Sequence, residues 1–181
     1  MLTITVPAME IFVEETNEFC RTSEQTLTLE HSLIALSKWE SKWHKPFLSR
    51  GERTEEETLD YIRCMTITKN VNPIVYNALT LEQIRQIRAY IDDSMTATKF
   101  WDSGNGGKAG RETITSEIIY YWMVTLQIPF ECEKWHLNRL LMLIEVCNRK
   151  NSPAKKINKR EISQMYSSIN AQRRKKFGTR G

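Results

Sequence analysis

The residues whose types and spacing come closest to phosphate chemistry lie in the glycine-rich stretch DSGNGGKAG, residues 102–110. Four glycines around Lys108 are typical of loops that hold phosphate groups through backbone N–H groups. The Walker spacing GxxxxGK[ST] fails, because Asp102 stands five residues before Gly107 and an alanine follows the lysine. A dinucleotide fingerprint also fails, since no strong strand precedes a correctly spaced GxGxxG. The stretch is therefore interpreted as a mobile loop or hinge.

Two further residue pairs have spacings that suggest chemistry. Cys132 and His136 lie four residues apart, on one face of a predicted helix, and together offer two zinc ligands. Tetrahedral zinc needs four ligands, or three and a water, and no second Cys/His pair lies nearby, which favours a hydrogen-bonded histidine beside a buried thiol. Ser41 and Lys42 point about 100° apart on a helix and cannot meet as nucleophile and base. The sequence therefore predicts no catalytic residue, no metal site and no cofactor.

The longest apolar stretch, residues 115–153, contains two segments of helix length. The first begins at a cap residue, Thr115 or Ser116, and ends before Pro129. The second is predicted from Glu131 to Asn148, and apolar residues cover so much of its circumference that several neighbours should bury it. This helical hairpin is expected to form the centre of the core.

Three earlier helices are predicted from apolar spacing and from start signals. The first covers residues 31–43. Thr54 stands three residues before Glu57, and Thr80 stands three residues before Gln83, so each pair predicts a capping box at the start of a helix. The helix after Thr80 has one apolar stripe, formed by Leu81, Ile84, Ile87 and Ile91.

Short strands are predicted before residue 30. Leu2, Ile4 and Val6 alternate with threonines, a pattern typical of a half-buried strand. Residues 11–13 and 26–29 are expected to extend this pattern into an antiparallel sheet of two or three strands. The polar residues between those two segments predict a turn or an exposed connection.

Charge is distributed unevenly along the chain. Residues 1–60 hold 6 Lys/Arg against 12 Asp/Glu, residues 61–150 hold 11 against 9, and residues 151–181 hold 9 against 1. A strongly basic end suggests a tail that binds a polyanion or an acidic protein surface. The four cysteines are scattered among apolar residues, which favours a reducing cytoplasm, and no apolar run approaches the roughly 20 residues of a membrane span.

These patterns predict a mainly α protein with one core, for which 181 residues are sufficient. A single globular domain is expected over residues 1–153, with short antiparallel strands in residues 1–30 and a compact helical core in residues 31–153. A basic C-terminal helix and tail are expected over residues 154–181.

Two groups of residues are candidates for partner binding. Trp39 and Trp43 share one helix face near Phe47, and together they are interpreted either as an aromatic anchor for a partner chain or as the seal between this helix and the core. The basic cluster of the tail is interpreted as solvated, as bound to an acidic protein, or as bound to nucleic acid. The cluster consists of Arg173, Arg174, Lys175 and Lys176.

Four extended segments of the sequence resemble bacteriophage tail assembly chaperones. The segments are LEHSLIALSKWESKWHKPFL (29–48), DYIRCMTI (60–67), MTATKF (95–100) and ITSEIIYYWMVTLQIPFECEKWHLNRLLMLIEVCN (114–148). The resemblance covers most of residues 10–175. It implies a non-enzymatic protein of the infected bacterial cytoplasm, which coats the tape measure protein of a long tail or assists its meeting with the tail tube.

The resemblance carries no binding motif onto individual residues. A helical domain with opposite charges at its two ends is suited to binding long amphipathic helices, or further copies of itself, through grooves and complementary charge. A structural virion component of the tail, baseplate or head-tail connector remains the alternative, and a nucleic-acid-binding protein is the third hypothesis. No membrane partner is expected.

Overall fold

An antiparallel ribbon at the N-terminus is built from four five-residue strands. They are β1 (Leu2–Val6), β2 (Met9–Val13), β3 (Glu18–Thr22) and β4 (Gln25–Leu29). The first strand pairs with the fourth and the second with the third, each pair antiparallel. The register continues across the interruption between the pairs, because Val6 lies opposite Gln25 and Met9 lies opposite Thr22. Pro7 lies in that interruption, where its missing N–H removes no ladder hydrogen bond.

The alternation of side chains fixes which face of the β1–β4 pair turns inward. Ile4 and Val6 are buried, as are Leu27 and Leu29, whereas Thr3 and Thr5 are exposed. The chain after residue 65 extends the pairing, since Ile67 N donates to Thr28 O at 2.8 Å. The predicted strand alternation over residues 2–6 is therefore confirmed. β3 is a correction, because those residues were expected to be a turn or connection.

Five α-helices and two 3₁₀ helices follow the ribbon within the described residues up to 151. The α-helices are α1 (Leu33–Trp43), α2 (Glu55–Met65), α3 (Leu81–Asp92), α4 (Ser116–Thr125) and α5 (Leu137–Asn151), and the 3₁₀ helices are Pro73–Ala78 and Phe130–Lys134. This computed structural model describes residues 1–13, 18–49, 51–98, 100, 113–151, 166–170, 173–174 and 178. A mainly α fold with a small antiparallel β element is the observed architecture of these residues.

Helix α1 is the element around which the core is packed. It contacts α2, α4 and the second 3₁₀ helix. Leu33 and Leu36 are completely buried, and Trp39 is 1% exposed. Ser32 caps its N-terminus by accepting a hydrogen bond from Ala35 N, and His44 ends it in the left-handed region with φ of 52°. The predicted helix over residues 31–43 is thus observed with a start two residues later.

The apolar stretch after residue 115 differs from its prediction in one respect. The helix expected from Glu131 to Asn148 is divided into a 3₁₀ turn and α5, and the backbone of Trp135 between them is extended. His136 forms an isolated β-bridge with Ser32, and Leu137 N donates to His31 O at 2.7 Å. These contacts with the start of α1 take the backbone hydrogen bonds that a continuous helix would have used.

The chain divides into two compact units, Met1–Asn148 and Arg149–Gly181. The first unit contains the ribbon and the core cluster. In the second unit, residues 166–170 are helical, and Tyr166, Arg173 and Arg174 are exposed. The division falls after Asn148, whereas the sequence placed it after Pro153. Most of the predicted basic helix and tail lies outside the described residues.

Candidate functional site

A cleft of about 550 Å³ is lined by residues of α2 and α3. Tyr61, Ile62 and Ile87 are buried at its floor, and Ile84 and Ile91 are half-buried along one wall. Charged side chains stand at its edge. They are Arg53, Arg88 and Asp92, all of them exposed. An apolar floor with charges at the edge is the composition expected of a surface that receives an apolar side chain.

The α2 wall of the cleft is held against α1 by hydrogen bonds. Thr54 and Glu57 form the predicted capping box at the start of α2, and Trp39 Nε1 donates to Glu57 O at 2.9 Å. Further along, both oxygens of Asp60 accept hydrogen bonds from α1. Lys42 Nζ lies at 2.6 Å and Trp43 Nε1 at 2.9 Å. α2 is therefore anchored at its first and second turns.

Two carboxylates of α2 have lowered pKa values for different reasons. The pKa of Glu57 is lowered mainly by its hydrogen bond from Lys45 and by the backbone hydrogen bond within the capping box. Burial of Asp60 raises its pKa, but the hydrogen bonds from Lys42 and Trp43 outweigh this effect and leave the pKa lowered. Both groups therefore favour the ionised form in the folded protein.

The α3 wall is capped at its start by its own residues and at its end by α5. Thr80 and Gln83 form the second predicted capping box. At the other end, Asn138 Nδ2 donates to Ile91 O at 2.9 Å and to Asp93 O at 2.7 Å. The last carbonyls of a helix have no partner within it, so the side chain of Asn138 satisfies groups that would otherwise need water.

Aromatic rings make up the inner end of the cleft. Phe47 stacks on Tyr61 with 3.8 Å between ring centroids, and Trp39 meets Phe47 edge-on at 5.1 Å. The guanidinium of Arg53 covers the other ring surface of Phe47 at 3.9 Å and also donates to the carbonyl oxygen of Phe47. This stack joins α1, α2 and the loop between them into one rigid end of the cleft.

A buried histidine lies at the base of the cleft. His31 is 2% exposed, its Nδ1 lies 2.5 Å from Tyr61 Oη, and its ring meets that of His136 edge-on at 5.0 Å. Burial, together with the smaller effect of the neighbouring His136, lowers the pKa of His31 to about 3. Burial likewise raises the pKa of Tyr61 well above its usual value. Both groups are therefore neutral at physiological pH.

The second histidine has its tautomer determined by the end of α3. His136 Nε2 lies 2.9 Å from Tyr90 O, and because a carbonyl oxygen only accepts, Nε2 carries the proton. Nδ1 is buried. Among the described residues it is the one buried side-chain nitrogen or oxygen without a hydrogen-bond partner. A buried polar nitrogen without a hydrogen-bond partner costs free energy.

The arrangement favours binding of an apolar group over proton transfer. His31 and Tyr61, the titratable pair at the base, both stay neutral, and they hydrogen-bond to each other. Arg53 and Arg88, against the one carboxylate of Asp92, give the edge of the apolar floor an excess of positive charge. A partner segment with an apolar side chain and neighbouring carboxylates fits this combination.

The structure brings together the aromatic residues that the sequence grouped as a partner anchor, with 6.3 Å between the ring centroids of Trp39 and Trp43 and 5.1 Å between those of Trp39 and Phe47. Trp39 is 1% exposed and Phe47 is 5% exposed, so Trp39 packs in the core and Phe47 in the inner wall of the cleft. This packing agrees with the interpretation of Trp39 as part of the seal between its helix and the core, while partner binding by Trp39, Trp43 or Phe47 stays a prediction. Trp43 is half-buried, with its Nε1 bound to Asp60.

The basic residues proposed for partner binding lie in the second unit. Arg173 and Arg174 are exposed, and Lys175 and Lys176 lie outside the described residues. The glycine-rich stretch 102–110 also lies outside them.

Sequence reasoning missed the cleft, its histidine and one exposed residue of α3. His31 and Tyr61 are 30 residues apart, and no local pattern signals that their side chains meet. Leu81 was assigned to the apolar stripe of α3, but it is 76% exposed, whereas Ile87 is buried. The other residues of the apolar stripe predicted after Thr80 do line one wall of the cleft.

The Cys132–His136 pair has no third metal ligand beside it in the described part of the chain. Both residues are buried, and no three His, Cys, Asp or Glu side chains among the described residues converge where a metal could bind. Burial raises the pKa of the Cys132 thiol, with Glu131 adding to the shift, which disfavours the thiolate that binds zinc. Within the described ranges, no helix combines the length and apolar composition needed to cross a membrane.

Comparison of the chain with protein-family models, with curated proteins and with solved structures finds no match.

Proposed function

We propose that this chain is a non-enzymatic phage tail morphogenesis protein. It binds the tape measure protein, or another tail protein, while the tail is assembled in the host cytoplasm. The segments at residues 29–48 and 114–148 supply the resemblance on which the phage assignment depends. The observation that supports a binding role is the cleft between α2 and α3, with its apolar floor and its two arginines at the edge.

An amphipathic helix of the partner is the segment that this cleft fits. Its apolar side chains would cover Ile84 and Ile91, which are half-buried, and its carboxylates would face Arg53 and Arg88. Burying one Leu-sized side chain contributes about 1.5–3 kcal/mol, whereas an exposed ion pair contributes about 0–1 kcal/mol. Apolar contact therefore supplies most of the affinity, and the arginines orient the partner helix.

Co-purification with the tape measure protein tests the proposal. The tagged chain is co-expressed with the tape measure protein, and the wild type is expected to retain it. Arg88→Glu reverses a charge at the cleft edge and is expected to weaken retention about tenfold, a change of about 1.4 kcal/mol. Arg85→Glu is the matched control, because Arg85 lies on the same helix, is 75% exposed and does not line the cleft.

Two results would contradict the proposal. Equal loss of retention in Arg85→Glu and Arg88→Glu would mean that the charge of α3 matters and the cleft does not. Stoichiometric presence of the chain in purified virions, measured by mass spectrometry, would favour the structural virion component instead.

A further inference from the structure

A second surface, distant in sequence from the α2–α3 cleft, lies on the outer side of α4. Tyr121 is 67% exposed and Val124 is 61% exposed, and they are neighbours three residues apart on the helix. Phe130, in the following 3₁₀ helix, is 56% exposed, and its ring lies 6.4 Å from that of Tyr120. We call Tyr120, Tyr121, Val124 and Phe130 the α4 patch. Three large apolar side chains this exposed, on α4 and on the 3₁₀ helix that follows it, are typical of an interaction surface.

The surroundings of the α4 patch are acidic. Glu117 lies one turn before Tyr121, and Glu131 follows Phe130; both glutamates are exposed. Glu133 accepts a hydrogen bond from Tyr120 Oη at 2.9 Å. Ser116–Thr125 contains no Lys or Arg, and Lys134 is the one basic residue of the 3₁₀ helix. A partner for this surface should therefore carry positive charge together with apolar or aromatic side chains.

The C-terminal segment of this same chain has that chemistry. Residues 151–181 hold nine Lys/Arg against one acidic residue, whereas residues 1–150 hold 17 Lys/Arg against 21 Asp/Glu. Tyr166 is 64% exposed, and Arg173 and Arg174 are exposed. Arginine stacks on aromatic rings while it pairs with carboxylates, so it suits a surface that offers both.

We propose that the α4 patch is the docking site for the basic C-terminal segment of a second copy of this chain. Each copy carries one donor segment and one acceptor patch, so the contact is head-to-tail. Contacts of this kind build rings or open chains of copies, and they do not require a symmetric interface. The inference does not depend on the tape measure protein, because both halves of the contact belong to this chain.

Sedimentation velocity of the purified, nuclease-treated, full-length protein tests the inference. At low ionic strength the average mass is expected to rise with protein concentration. In about 1 M salt, where the screening length falls to about 3 Å, the association is expected to weaken at least tenfold. A wild-type protein that stays monomeric at every concentration would overturn the proposal, and this includes the case in which the segment occupies the patch of its own chain.

Two variants separate the donor from the acceptor. The patch variant carries Tyr121→Ser and Val124→Ser, and the tail variant carries Arg173→Glu and Arg174→Glu; all four residues are exposed, so the fold is expected to tolerate the changes. Each variant alone is expected to associate at least about tenfold more weakly than the wild type. Leu81→Ser, at an equally exposed apolar residue of α3, is the control and should associate as the wild type does.

Mixing the two variants gives the decisive measurement. The patch variant retains an intact tail, and the tail variant retains an intact patch, so the mixture is expected to form a heterodimer although each variant associates only weakly by itself. A mixture that stays monomeric, or a patch variant that self-associates like the wild type, would overturn the head-to-tail contact. Neither result bears on binding to the tape measure protein, which is measured separately by co-purification.

Discussion

Glu40 of α1 accepts the first backbone N–H of α4, with Ser116 N at 2.7 Å from Oε2. Its other oxygen accepts the backbone N–H of Phe47 at 2.9 Å. Thr115, at the cap position of α4, makes no side-chain cap hydrogen bond, so the carboxylate of Glu40 takes over that role from another helix. A negative group is also favoured by the partial positive charge of a helix N-terminus. One buried side chain thus links α1, the loop after it and α4.

Glu40→Ala is expected to destabilise the protein more than its size alone would suggest. The substitution leaves two buried N–H donors, those of Phe47 and Ser116, without their acceptor, and each such loss costs about 1–3 kcal/mol. The free energy of unfolding, measured in urea, should fall by about 2–5 kcal/mol. Glu24→Ala, at an exposed position, is the control. Equal, small losses in both variants would show that the Glu40 hydrogen bonds contribute little.

Trp39 and Trp43, one helical turn apart, are expected to differ in their contribution to stability. Trp39 is 1% exposed, and its indole donates to Glu57 O, so Trp39→Ala should cost about 3–5 kcal/mol. Trp43 is half-buried and should cost less when it is replaced by alanine. Parallel urea titrations of the two variants provide the comparison. A larger loss for Trp43→Ala would contradict the placement of Trp39 in the core.

The features that sequence reasoning predicted are those whose partners are close in the chain. The capping box of Thr54 and Glu57 spans three residues, and both of its hydrogen bonds are observed. The contact between Glu40 and Ser116 spans 76 residues, and nothing local to either one signals it. Apolar periodicity and capping residues therefore predict the helices. The hydrogen bonds that connect one helix to another depend on tertiary contacts, which local sequence does not show.

The same limit explains why the sequence left the burial of Trp39 open and missed the break in the last helix. The aromatic spacing around Trp39 shows that the side chains share a face, but it does not show whether that face turns inward. The break at Trp135 arises because His136 bridges to Ser32, a contact made by residues more than a hundred positions apart. The cleft base is likewise assembled from His31 and Tyr61, on separate elements.

His31 is expected to make stability fall as the pH is lowered from neutral. The folded-state pKa of His31 is lowered to about 3 by burial and by His136, whereas the pKa in an unfolded chain is about 6.5. Between these values the unfolded chain binds a proton that the folded protein does not. The free energy of unfolding should therefore decrease by up to about 1.4 kcal/mol per pH unit on going down through this range.

Urea titrations between about pH 7 and pH 5 measure this slope above the range in which the carboxylates of Glu57 and Asp60 take up protons. His31→Gln removes the titrating group, so its slope should be shallower by roughly one proton. His44→Asn is the matched control, because His44 is exposed and asparagine tolerates its left-handed backbone. A His31→Gln protein that keeps the wild-type slope would refute the assignment.

Asn138→Ala is expected to loosen the end of α3 while leaving its start intact. The two N–H groups of the Asn138 amide satisfy Ile91 O and Asp93 O, and the truncation leaves these acceptors to water. The loss should be about 1 kcal/mol per hydrogen bond, because both carbonyls lie near the surface, where water replaces the donor. Hydrogen exchange checks the location of the effect: amides of the last turn of α3 should exchange faster, whereas those next to the Thr80 capping box should keep the wild-type rate. Uniform acceleration along α3 would instead mean that Asn138 supports the whole helix, and the wall of the cleft with it.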